Sequence, residues 1–194
     1  MPLPEAIIEV AKVSLTGGDK LTKRLKEIAK GVSQPAALKV GFLEGSTYPD
    51  DKGTPTAAVA AWQEFGTPTI PKRPFFRNMI QENSYRWGPN VGAALKSTDY
   101  DAVTALSLMG IELRDELQDS IREGDFAPLS PITVMLRGMK YNDPSLVVTG
   151  ATVGEAARRV GLGLTNYGAP TKPLIDTSHM INSVDFKVDQ GANS

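Results

Sequence analysis

The chain has 194 residues, 41% hydrophobic and 22% charged, which suits one globular domain with a real core. Twenty-one Lys and Arg against 22 Asp and Glu leave a formal charge of −1, an argument against a dedicated nucleic-acid binder. With no cysteine, disulfides, thiolate nucleophiles and cysteine-held metals are excluded.

Apolar runs are too short for a membrane-spanning helix, so no membrane partner is expected. Met1-Pro-Leu-Pro-Glu lacks the basic and long apolar regions of a signal peptide, so the chain is expected to stay in the compartment that makes it. From the N-terminus, a strand is predicted over Lys12–Thr16, broken by Gly17 and Gly18. Asp19 then reads as the N-cap of a helix in which Leu21, Leu25 and Ile28 recur at helical spacing, running through Lys30 and closed by Gly31. Lys20, Lys23, Arg24, Lys26 and Lys30 cover its other face, read as solvated, with an anion-binding patch as the alternative. Leu38 to Glu44 alternates as a half-buried strand, and residues 45–55 form a loop arm. Asp50 and Asp51 in that arm read as turn residues rather than a metal pair.

Residues 57–79 are the centre of the pattern. A short alanine-rich helix carries Trp62 and Phe65 on one face, expected to pack on the core, and Gly66 stands where a C-cap belongs. Pro68, Pro71 and Pro74 make residues 66–74 a stiff extended arm carrying Ile70, Lys72 and an exposed Arg73. Phe75, Phe76 and Arg77 open a second helix, expected to run to Tyr85 before Gly88-Pro89 interrupts.

The longest helix is expected over about 99–123, with Val103, Leu106, Gly110, Leu113, Leu117 and Ile121 as its apolar seam. Glu112, Asp115, Glu116, Asp119 and Glu123 load the opposite face, read as solvated or as a lining that repels a passing polyanion. Residues 138–173 read as a third loop arm, with a short strand over Leu146–Thr149 and a weak helix signal from Thr152 and Glu155. Asp176-Thr177-Ser178 could cap one more turn, and Val184, Phe186 and Val188 alternate as a final strand. The fold class is therefore α+β: a small antiparallel sheet packed by helices, one domain over 1–194.

Chemistry finds little footing. His179 is the single histidine, and Asp176, Ser178 and His179 are too close in sequence to face one another as a triad. Zinc-ligand sets and phosphate-cradling loops are missing, so no cofactor, metal or catalytic residue is expected.

Four segments in order resemble the tail-completion and neck proteins of tailed bacteriophages, the head–tail joining or virion-morphogenesis group. They are K-V-G-F-L-E-G-S-T-Y-P (39–49), A-A-W-Q-E-F-G-T-P-T-I-P-K-R-P-F-F-R (60–77), A-P-L-S-P-I-T-V (127–134) and K-P-L-I-D-T-S-H-M-I-N-S-V (172–184). The second and fourth are the specific ones, and the resemblance spans about three quarters of the chain. Two departures stand out: the stretch from Gly138 to Lys172 is longer than the family's short link, and Ser178 stands where glycine is expected.

The resemblance implies small α+β units with a twisted antiparallel sheet, assembling into a ring, six-fold, between the DNA-filled head and the tail tube. Partners would be further copies, the tail tube or terminator, and connector or neck proteins, with synthesis in the host cytoplasm. Trp62, Phe65, Ile70, Lys72, Arg73, Phe75, Phe76 and Arg77 would be contact residues, and Glu112, Asp115, Glu116 and Asp119 lumen-facing acids. DNA would pass without specific binding, no tighter than about 10⁻⁶ M. The competing readings are an assembly factor without a permanent ring and a small hydrolase using Asp176, Ser178 or His179.

Overall fold

Residues 18–48, 53–165, 168–176 and 178–191 are described by the computed structural model. In chain order they form helix α1 (Gly18–Val32), strand β1 (Ala36–Phe42), helices α2 (Thr56–Phe65), α3 (Phe75–Ser97), α4 (Ala102–Glu123), α5 (Pro131–Asn142), α6 (Gly150–Gly161) and α7 (His179–Asn182), and strand β2 (Val184–Gln190). The fold is α+β, as the alternation of Leu38–Glu44 and Val184–Val188 predicts, though β1 begins two residues earlier and ends at Phe42, before Leu43 and Glu44. The two strands pair antiparallel in a register that sets Val40 opposite Phe186 and Phe42 opposite Val184. The predicted strand over Lys12–Thr16 and the Asp50–Asp51 pair lie outside the described residues.

Helix α4 organises the rest, packing against α3 and against both strands. Asp101 caps it, its carboxylate accepting from the backbone N–H groups of Val103 (3.0 Å) and Thr104 (3.2 Å). Those bonds hold Asp101 below the ordinary carboxylate range. The expected start near residue 99 is corrected by this cap, because Asp99 and Tyr100 sit in left-handed conformations (φ 54° and 66°) that cannot continue a helix. Gly110 lies mid-helix under the Phe186 ring, where a Cβ would overlap the ring atoms; glycine here lets β2 lie close on α4. The core joins Ala60, Phe75, Met79, Leu117, Ile121, Phe126, Met180, Ile181 and Val184.

Helix α3 corrects another expectation by running on from Tyr85 through Gly88 and Pro89 to Ser97. Contacts with α4 hold it on both sides of Pro89: Trp87 donates to Glu116 (2.9 Å), and Asn90 donates to Glu112. At the other end of the fold, Gly18 opens α1, with Asp19 in its first turn, and Gly31 lies inside the helix. Here Gly31 approaches the Tyr100 carbonyl, and Arg24 pairs with Asp99.

The expected loop arm over 138–173 is also corrected. Helix α5 continues to Asn142, and α6 packs against it. Leu146–Thr149 forms no strand; it leads to a cap at Thr149 with Thr152, one turn before the Thr152–Glu155 pair expected from sequence. Glu155 instead binds Arg158 and Arg159, which hold its carboxyl down to about 2. Residues 168–176 are the true loop, tied down where Arg137 donates to the carbonyls of Pro170 (3.1 Å), Lys172 (3.0 Å) and Ile175 (2.8 Å). No helix among the described residues is long and apolar enough to cross a membrane.

Candidate docking surface around helix α2

Helix α2 turns its less apolar side inward. The buried positions are Thr56, Ala60 and Glu64, one turn apart, while Trp62 is 47% and Phe65 62% exposed. The expectation that Trp62 and Phe65 pack the helix onto the core is therefore wrong. Apolar residues lie all round this short helix, so its period could not show which side faces in. What holds the inward side is polar satisfaction at both ends.

At the C-terminal end Glu64 caps the neighbouring helix. Pro74 offers α3 no side-chain cap, and Glu64 accepts from the backbone N–H groups of Phe76 (2.9 Å) and Arg77 (3.3 Å). Arg77 closes the pair, donating from Nε to Glu64 Oε1 (2.8 Å) and from Nη2 to the Glu64 carbonyl (2.8 Å). A buried carboxylate at an N-terminus meets both the orphan N–H groups and the positive end of the helix dipole. Gly66, at φ 76°, ends α2 as predicted, donating to the Trp62 carbonyl (3.0 Å).

Arg73, expected to be exposed on the arm, is buried at 3% exposure. Its Nε donates to the Ala127 carbonyl (3.1 Å), Nη1 to Gln63 Oε1 (2.6 Å), and its backbone N–H to the Gln63 carbonyl (2.7 Å). The guanidinium thus clamps the arm to α2 and to the loop before α5, which leaves it unavailable to a neighbour. Burial, and secondarily the charge of Arg137, lower its pKa from the ordinary arginine value. Phe75 is likewise core rather than contact, edge-on to Phe42 with centroids 6.2 Å apart. Ile70 and Phe76 are half-buried; Lys72 is exposed.

Beside α2 lies an apolar cleft of about 290 Å³, lined by Phe42, Ala57, Ala61, Phe65, Phe75 and Phe76; Trp62 is exposed outside this lining. Glu64 and Arg77 border it, and Arg77 stacks over the Phe65 ring at 5.4 Å. This volume accepts one or two apolar side chains. The missed signal was the conflict between Glu64 and its neighbours: a carboxylate on a helix face that also carries Ala60 has to find a buried partner.

The acids expected to line a lumen divide in two. Glu112 and Glu116 face α3; Glu116 accepts from Arg86 (2.8 Å) and Trp87 and keeps 12% of its side chain exposed. Asp115 and Asp119 are exposed, paired with Arg114 and Arg122 on the same helix.

His179 belongs to a hydroxyl cluster. Ser46 donates to Ser183 Oγ (2.8 Å), and Ser183 donates to the His179 carbonyl (2.8 Å). Each hydroxyl has one proton, so Ser46 must accept from Thr56 (2.8 Å), and Thr56 must then accept from His179 Nε2 (3.3 Å). His179 is a donor here, the opposite of what activating a hydroxyl nucleophile requires. Asp176 turns to Arg137 (3.5 Å), and Thr56 is fully buried. Among the described residues no group of three His, Asp or Glu could hold a metal. Comparison with protein-family models, with curated proteins and with solved structures found no match.

Proposed function

We propose that this chain is a structural protein of the neck or tail end of a tailed bacteriophage. Identical copies form a six-fold ring that joins or completes the tail at the head–tail junction and lets DNA through without specific binding. On this reading the protein resides in the virion after synthesis in the host cytoplasm. It makes and breaks no bond, needs no cofactor, and touches its own copies, the tail tube or terminator and the connector.

The observation that carries the reading is spatial. Three of the four sequence segments that resemble joining proteins meet around one core: Phe42 from the first, Ala60 and Phe75 from the second, Leu174, Ile175, Met180 and Ile181 from the fourth. Arg73 ties the second to the third at Ala127. Segments whose side chains depend on one another in this way behave as one unit rather than as scattered short matches. Phe65 and Arg77 at an apolar cleft, with the exposed Trp62 on the same helix as Phe65, supply an anchor-type surface of the sort that assembly requires.

The test is the particle. Quantitative mass spectrometry of purified virions should find the protein in a copy number divisible by six, and loss of its gene should leave full heads and complete tails unattached. One or two scattered copies per particle would sink the ring. Absence from finished particles with the same joining defect would make it a transient assembly factor instead.

A further inference from the structure

Helix α1 stands apart from the core with an apolar stripe open to solvent. Leu21, Leu25, Ile28 and Val32 are spaced four, three and four residues apart, which places them on one side of the helix. Leu21 is 63% and Leu25 56% exposed, and no residue of α1 is buried. The helix is held to the fold at Arg24 and Gly31, which touch the Asp99–Tyr100 turn beside the half-buried Ile28, while Leu21, Leu25 and Val32 stay exposed. Exposed, contiguous apolar side chains on a well-formed helix mark a contact surface. Around the stripe the helix is basic, with five Lys or Arg against two acids.

Helix α4 has the opposite pattern. Its open side runs Thr104, Leu108, Ile111, Asp115, Asp119 and Arg122, again at helical spacing, with Leu108 46% and Ile111 43% exposed. Of the five acids of this helix, Glu112 and Glu116 are taken up by α3, and Asp115, Asp119 and Glu123 remain on its outer side with Arg114 and Arg122. No other helix among the described residues is acidic by more than one charge. The ion pairs of Asp115 with Arg114 and Asp119 with Arg122 are exposed and lie within the helix, so both carboxylates remain able to take a second cation.

We propose that α1 of one copy docks on the outer face of α4 of the next. Leu21, Leu25, Ile28 and Val32 cover Leu108 and Ile111, and Lys20 and Lys26 reach Asp115 and Asp119. The two surfaces are different patches of one chain, so the contact is head-to-tail, the kind that closes into a ring when the rotation between copies permits. This interface deepens the ring reading and rests on it for the second copy as occupant.

A charge exchange tests it on the full-length purified protein, followed by sedimentation velocity with circular dichroism as the check of folding. One variant carries Lys20→Glu and Lys26→Glu, the other Asp115→Lys and Asp119→Lys; all four positions are exposed. The wild type should self-associate. Each variant alone should be folded and should associate about a hundredfold more weakly, because like charges then face each other. Mixed one to one, the variants should regain association, since each contact in an alternating assembly again pairs opposite charges. A mixture that stays dissociated, single variants that assemble like wild type, or a monomeric wild type would each overturn the interface. Because this readout needs no phage particle, it stands or falls separately from the copy number and joining defect that test the neck reading.

Discussion

Arg73 and Ser178 show how much a single backbone or side-chain position can demand. The Arg73 guanidinium faces the acceptors of Gln63 and Ala127 and is closed off from solvent. Arg73→Glu would set a buried carboxylate against those acceptors and leave their bonds unmade. The expected cost is about 3–5 kcal/mol, a large share of a small domain's stability, read as early melting in thermal or urea denaturation. A variant that melts like wild type would mean the arm is free after all. Ser178 sits at φ 59° and ψ 8°. Glycine takes that conformation without the Cβ clash, so Ser178→Gly should raise stability by up to about 1 kcal/mol in the same measurement. A β-branched replacement should lower it.

At the scale of elements, α3 and the strand pair make opposite use of charge. Pro89 removes one helix hydrogen bond, and the ties of Trp87 and Asn90 to α4 carry the helix past it. Pro89→Ala should therefore stabilise the protein by about 1–3 kcal/mol, visible as a raised urea midpoint, and an unchanged midpoint would show the break is already absorbed. In the sheet, Asp189 binds Lys187 (2.8 Å) and Lys39 (2.7 Å), which hold its carboxyl at about 2. Folding thus favours its charged form; the contribution is complete above the ordinary value of 3.8 and is lost as pH falls toward 2. Asp189→Asn should flatten the fall of melting temperature over that window. Where local pattern and packing agree, the element was legible: β1, β2 and the Gly110, Leu117 and Ile121 part of the α4 seam follow from period, whereas the buried Ala105 and Met109 were missed and Val103, Leu106 and Leu113 are only half-buried. Helix α6 was not legible, because Gly154, Gly161 and Gly163 weaken the pattern while Ala156, fully buried, supplies the packing that keeps it helical. The second half of α3 was hidden in the same way by Gly88 and Pro89. The site was less legible still, since Arg73 answers to Ala127, 54 residues away, and Glu64 to Arg77, 13 away.

For the molecule as a whole, the aromatic residues of the 60–77 segment have exchanged the roles that sequence suggests. Phe75 is the core residue, while Trp62 and Phe65 face outward and Phe65 lines the cleft. Stability and assembly should separate accordingly. Phe75→Ala should cost about 3–5 kcal/mol and leave little folded protein. The double change Trp62→Ser and Phe65→Ser removes surface apolar area and the Arg77 stack on Phe65. Such changes should lower stability by no more than about 1 kcal/mol, so the protein should express and melt nearly as wild type. If α2 seats the ring at the junction, complementation with this double variant should yield heads and tails that are both complete and unattached. Losing two central aromatic anchors removes more association energy than a rim can restore. Infectious particles at wild-type titre, from a variant shown to be folded, would remove α2 from the junction and leave the α1–α4 contact to be judged by its own charge exchange.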